Sequence, residues 1–251
     1  MGLRPGSRRS AKVVLLAVAG VLLLLVVVGG IRTLSRPTFR DVVLGESARL
    51  AELREAFTRL DRSLPAPGSV TRRPCPAGMH YTYKAADMYF NSIDVVMRGR
   101  LSDPAKPGPD DLGRSELARM LSMSLPGYQE RSVDSDRVDE ATAARIHDFL
   151  HVDTVVVVQL SDLRPGVAGP GLSFTPGSVD VEALVVVLSS GEIRCATSAV
   201  GNNHSSLEFT GSSLSGDDPA AQAAINGDLM GQAAAALAVN LGLAGVGDFA
   251  F

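Results

Sequence analysis

Apolar and polar positions along this chain change their period from stretch to stretch, and each period predicts an element. Residues 13–31, VVLLAVAGVLLLLVVVGGI, have no period at all. They hold no charged or polar side chain and lie between Lys12 and Arg32. A helix rises about 1.5 Å per residue and a bilayer core is roughly 30 Å thick, so this run predicts an N-terminal transmembrane helix. A cleaved signal peptide is the alternative, but its apolar segment usually runs only about 7–15 residues. Arg4, Arg8, Arg9 and Lys12 precede the run with no acid among them. That asymmetry predicts a cytoplasmic tail over residues 1–12 and a single-pass protein whose remainder lies outside the cytoplasm.

Residues 41–64 follow with helical spacing. Leu50, Leu53, Phe57, Leu60 and Leu64 alternate three and four apart, with charged residues on the other faces. Two heptads are too few to stand alone. Two alternatives follow: a seam joining two copies into a homo-oligomer, or a face packed on the chain's own domain, the ordinary fate of an amphipathic stripe. Proline and glycine mark residues 65–111 as a loop-rich connection, within which residues 80–83 suit a short strand. Residues 85–98 lean to helix, because Ala86, Tyr89, Phe90, Ile93 and Met97 recur at three and four.

From residue 112 the pattern sharpens into a domain reaching residue 242. Residues 112–125 read as a helix stopped by Pro126 and Gly127. Asp134 or Asp136 can cap a second helix running to about His151. Residues 152–160, VDTVVVVQL, are apolar without alternation, as in a strand covered on both faces. Residues 179–188 and 193–200 predict an antiparallel hairpin. A final helix carries the stripe Ile225, Leu229, Ala233, Leu237 and Leu241 and stops at Gly242, leaving a tail over residues 243–251. The expected fold class is α+β, a mixed β-sheet with helices packed on it, behind the transmembrane helix. Between the strands, residues 163–178 read as a long Gly/Pro loop. Val167, Leu172 and Phe174 make it a candidate binding loop, a lid, or packing on its own domain.

Composition adds three constraints. A formal net charge of -3 argues against a nucleic-acid surface. Lysine occurs only as Lys12, Lys84 and Lys106, while arginine abounds, a bias suggesting a GC-rich bacterial genome. Cys75 and Cys195 are the two cysteines. In an oxidising compartment they would be expected to pair, and closing a loop of about a hundred residues is worth roughly 4–5 kcal/mol in chain-entropy estimates.

Two phrases carry a family resemblance: His151-Val152-Asp153-Thr154-Val155-Val156-Val157, a helix end running into an apolar strand, and the strand from Val181 closed by Ser190-Gly191-Glu192-Ile193. Through them, residues 113–242 resemble a group of bacterial envelope domains: the curli-secretion lipoprotein, the penicillin-binding-protein activator lipoproteins and the N-terminal domain of the Tol translocation protein. The resemblance implies an assembly or regulatory part of the envelope, with an envelope protein as partner and no enzymatic activity. The long insertion after Leu163 and the lack of a lipid-anchor cysteine depart from the lipoprotein members.

Candidate chemistry is sparse, and no catalytic or cofactor-binding residue is assigned. His147 and His151 stand at i and i+4 on one helical face, a spacing that suits zinc, with Asp148 where metalloprotease helices carry glutamate. No third ligand is identifiable from the sequence, although Glu182, Asp153 or His204 could supply one after folding. The alternative places His151 at a helix end and His147 on the surface. Asp134, Ser135, Asp136, Asp139 and Glu140 resemble a calcium loop but lack its glycine at position six and have Arg145 at position twelve. Ser173 lacks the closing glycine of a nucleophile elbow. The sequence therefore predicts a membrane-anchored, non-catalytic binding, assembly or sensing accessory. The alternative is a membrane-tethered metal-dependent hydrolase using His147 and His151.

Overall fold

The computed structural model describes residues 36–75, 94–104, 115–129, 131–169, 173–207 and 219–242. Its strands are β1 (Asp94–Met97), β2 (Thr154–Arg164), β3 (Val167–Ala168), β4 (Phe174–Thr175), β5 (Ser178–Val187) and β6 (Ile193–Asn202). Its α-helices are α1 (Phe39–Gly45), α2 (Ser47–Ser63), the single turn α3 (Gly99–Ser102), α4 (Glu116–Ser122), α5 (Glu140–Leu150) and α6 (Pro219–Asn240). A 3-10 turn, Ser132–Ser135, lies between α4 and α5.

The unalternating valines of β2 explain the layering. Successive side chains of a strand point to opposite faces. Val155 and Val157 enter a core with α1, α2, α4 and α5, while Val156 and Val158 enter a second core against α6. All four are fully buried. The sheet order is β1-β2-β5-β6, with β1 parallel to β2 and the other pairs antiparallel, so the sheet is mixed and covered on both sides.

A bulge in β6 sets which core Cys195 joins. Val185 pairs with Cys195 but Val186 pairs with Ile193, leaving Arg194 as the extra residue. Two residues apart on a regular strand share a face. Here Ile193 packs on the helical-layer core, and Cys195 lies in the α6 core. On that second face the α6 stripe seats as its spacing predicts, with Ile225, Leu229, Ala233, Leu237 and Leu241 all buried. The helix packs tightly on Gly201, where a Cβ would fall 2.8 Å from the Ala233 backbone nitrogen. Only glycine leaves room for that approach.

Several expectations are corrected. Among the described residues no helix is long and apolar enough to cross a membrane; their architecture is α+β, and the expected N-terminal transmembrane helix is not supported. Residues 1–12 and 13–31 lie outside the described residues, as do residues 80–83, Leu172 and residues 243–251. The helix expected over residues 41–64 is two helices broken at Glu46. Its stripe faces the chain's own core, where Leu50, Leu53, Phe57, Leu60 and Leu64 are 6 % exposed or less. The helical spacing over 85–98 misleads at its end, because residues 94–97 form β1, paired to β2. Core contacts join residues 39–64 and Val96 to residues of the later domain, so the α+β unit begins well before residue 112. Residues 163–178 are not one loop: β2 runs on to Arg164, β5 starts at Ser178, and β3 and β4 form a small two-stranded arm between them.

Asp94, half-buried at the start of β1, accepts from the Leu117 amide at 3.0 Å and from the Ser115 hydroxyl. Ser115 in turn caps α4. Burial pushes the Asp94 carboxyl up to about 7, against the opposing pull of those two hydrogen bonds. A folded-state value above the unfolded one gives stability that is fully present below pH ~4 and lost as pH rises through about 7. The stability of the native chain relative to Asp94→Asn is therefore expected to fall between pH 5 and pH 8, with a slope no steeper than about 1.4 kcal/mol per pH unit. Urea unfolding of both proteins at the two pH values checks this, and parallel profiles would refute it.

Candidate metal centre

The C-terminal turn of α5 carries both histidines of the candidate pair. Asp139 caps this helix by accepting from the Thr142 amide at 2.7 Å, so neither Asp134 nor Asp136 is its cap. At the other end His151 is the C-cap residue. Its Nδ1 lies 2.9 Å from the His147 carbonyl oxygen. A carbonyl only accepts, so Nδ1 carries a proton, and in the neutral imidazole Nε2 is the nitrogen with a free lone pair. The two rings face each other, with centroids 4.2 Å apart and planes tilted by 40°.

The third donor is Glu46. It occupies the joint between α1 and α2, at the N-cap position of α2, yet its side chain makes no cap hydrogen bond there. Instead Oε1 reaches 3.0 Å from His147 Nδ1, across a sequence separation of 101. One donor atom each from Glu46, His147 and His151 lies within 4.8 Å of the others. Arg49, one turn along α2, holds the two helices in register: its Nε donates to the Leu150 carbonyl at 2.8 Å and its Nη2 to the Val152 carbonyl at 3.3 Å. The imidazoles are exposed and Glu46 is half-buried.

None of the acids or histidines expected to complete the site joins it. Glu182 is buried under the 65–70 loop, accepting from Gln159 at 2.8 Å and from the Gly68 amide at 3.1 Å. Asp153 accepts from the Ser189 amide and hydroxyl at 2.9 and 2.8 Å. His204 pairs with Asp228 at 2.6 Å. Burial works against the Asp228 charge, but hydrogen bonds from Asn203 and His204 outweigh it and hold the carboxyl below its usual range. The break at Gly45-Glu46 was the sequence signal for Glu46, since glycine weakens a helix interior. Its reach to His147 had no local signal.

The remaining candidates lie away from this cluster. Asp134 is fully buried and accepts from Tyr128, Arg119 and the Arg131 amide. It is a packing hub and no part of a calcium loop. Ser173 closes the β3–β4 arm, its carbonyl accepting from the Gly169 amide at 2.8 Å. Val167 on this arm is 56 % exposed and Phe174 is half-buried. Cys75 and Cys195 are joined in a disulfide, with Cα atoms 4.9 Å apart. In the comparisons with known proteins, no family model matches the chain and no curated protein matches it.

Proposed function

We propose that this chain is a non-catalytic binding or assembly accessory that works outside the cytoplasm, with an envelope protein as its partner. The Cys75–Cys195 disulfide carries this reading, because cytosolic thiol chemistry keeps such pairs reduced. The choice of partner rests on the strand phrases around Val155 and Val181, which resemble those of envelope assembly domains. Buried polar groups such as Asp134, Gln159 and Glu182 are hydrogen-bonded to one another or to backbone, which suits a scaffold better than a reaction centre. The exposed Val167 on the β3–β4 arm, with Leu163 and Val200 also exposed, offers apolar contacts to a partner.

Labelling intact cells with a membrane-impermeant maleimide tests the compartment. Cys75 and Cys195 are expected to react only after reduction. Reaction without reduction, and only after lysis, would place the domain in a reducing compartment and defeat the proposal.

A further inference from the structure

We infer that Glu46, His147 and His151 form a binding site for a divalent transition-metal ion of zinc's class. Two imidazoles and one carboxylate select the ion: calcium and magnesium prefer all-oxygen shells, and monovalent copper prefers sulfur. The same two-histidine, one-glutamate donor set holds zinc elsewhere with a fourth position left open. Zinc–ligand bonds of about 2.0–2.1 Å place tetrahedral donor atoms roughly 3.3 Å apart. The His147 Nδ1 to Glu46 Oε1 separation of 3.0 Å is already close to that, and the full set spans 4.8 Å.

Three details separate this cluster from an ordinary surface ion pair, which contributes at most about 1 kcal/mol. His151 has its Nδ1 proton fixed on a backbone carbonyl, the orientation that metal-ligating histidines usually have, leaving Nε2 for the ion. Glu46 gives up capping its own helix to reach the imidazole. The donors also gather at the C-terminal end of α5, where the helix dipole favours positive charge. A bound ion would pin the α1–α2 joint to the end of α5 and keep one coordination position for an exchangeable donor. The inference is independent of the accessory role.

The test is calorimetric titration of the full chain, stripped of metal with chelator, using zinc chloride alone. One ion per chain is expected. Affinity should fall at least tenfold in each of His147→Ala, His151→Ala and Glu46→Gln, and stay unchanged in His204→Ala. Zinc one hundredfold above its Kd should raise Tm by about 5–10 °C, following from mass action. In the unsubstituted chain, zinc should protect His147 and His151 from diethyl pyrocarbonate and leave His204 reactive, a readout that does not depend on the variants folding. Failure to bind zinc, affinity that survives all three substitutions, equal reactivity of the histidines with and without zinc, or an equal Tm rise with calcium would each overturn the assignment.

Discussion

Replacing Asp134 with alanine is expected to lower the unfolding free energy by about 3–5 kcal/mol, a large share of the 5–15 kcal/mol that holds a typical domain together. The carboxylate is wholly buried, and it accepts from the Tyr128 hydroxyl at 2.6 Å, the Arg131 amide at 2.8 Å and the Arg119 guanidinium. Arg119 is itself only 9 % exposed at its side chain and stacks over the Phe39 ring, 4.7 Å from its centroid. Alanine removes the counter-charge and leaves Arg119 with Glu116 alone, at 2.6 Å on the more exposed side. The costly outcome is a largely buried guanidinium that has lost the more buried of its two counter-charges, together with the Tyr128 hydroxyl and the Arg131 amide left without their acceptor. Tyr128→Phe deletes only the hydroxyl contact to the carboxylate and is expected to cost less, about 1.5–3 kcal/mol. Urea unfolding of the two variants beside the native chain measures both. A loss under 1 kcal/mol for Asp134→Ala would show that the carboxylate is not the hub.

The hub also reaches the candidate metal centre. The turn that Asp134 anchors continues into Asp136, whose carbonyl accepts from the Phe39 amide at 2.9 Å, and into Val138, whose amide donates to the Pro37 carbonyl at 3.0 Å. Those bonds seat the start of α1, and Glu46 sits at the end of α1. The helix that ends at Glu46 is thus bonded at its start to the segment that holds the buried ion pair.

How far the sequence revealed this architecture depended on whether the signal was local. The run Val155 to Val158 announced a strand covered on both faces, because apolar side chains on both sides of a pleat need two layers to bury them. The α6 stripe was legible for a similar reason, as spacing alone fixes a helix face. Residues 94–97 failed because their three-and-four spacing is compatible with helix, and only hydrogen bonding to β2 makes them a strand. Asp134 read as a cap since acids before a helix usually are. Its actual partners, Arg119 and Tyr128, come together only through folding. Two of the three donors of the metal centre were visible as the i, i+4 pair His147 and His151. Glu46 was not, because no periodicity connects residues 101 positions apart.

Breaking the Cys75–Cys195 link should cost about 2–5 kcal/mol, with the upper part of that range favoured by the sequence separation of 120. A cross-link between distant residues acts mainly on the unfolded chain, removing conformations that it would otherwise explore. Packing gives this bond a second function. The preceding Arg73 forms an antiparallel bridge to Ala196, its amide and carbonyl bonded at 2.9 and 3.0 Å, and its guanidinium donates to the Ile193 carbonyl at 2.8 Å. The disulfide holds that bridge on the outer strand β6, where the bulge at Arg194 turns Cys195 inward. Two reference proteins separate the contributions. The reduced native chain keeps the sulfur atoms, so its loss relative to the oxidised chain reports the cross-link alone. Cys75→Ala with Cys195→Ala also removes buried volume beside Val185 and is expected to lose about 1 kcal/mol more. If the oxidised and reduced chains unfold at the same urea concentration with the same slope, the cross-link contributes nothing to stability. The bridge and the two cores would then suffice to hold the 65–75 segment, and a reducing compartment would no longer penalise the fold.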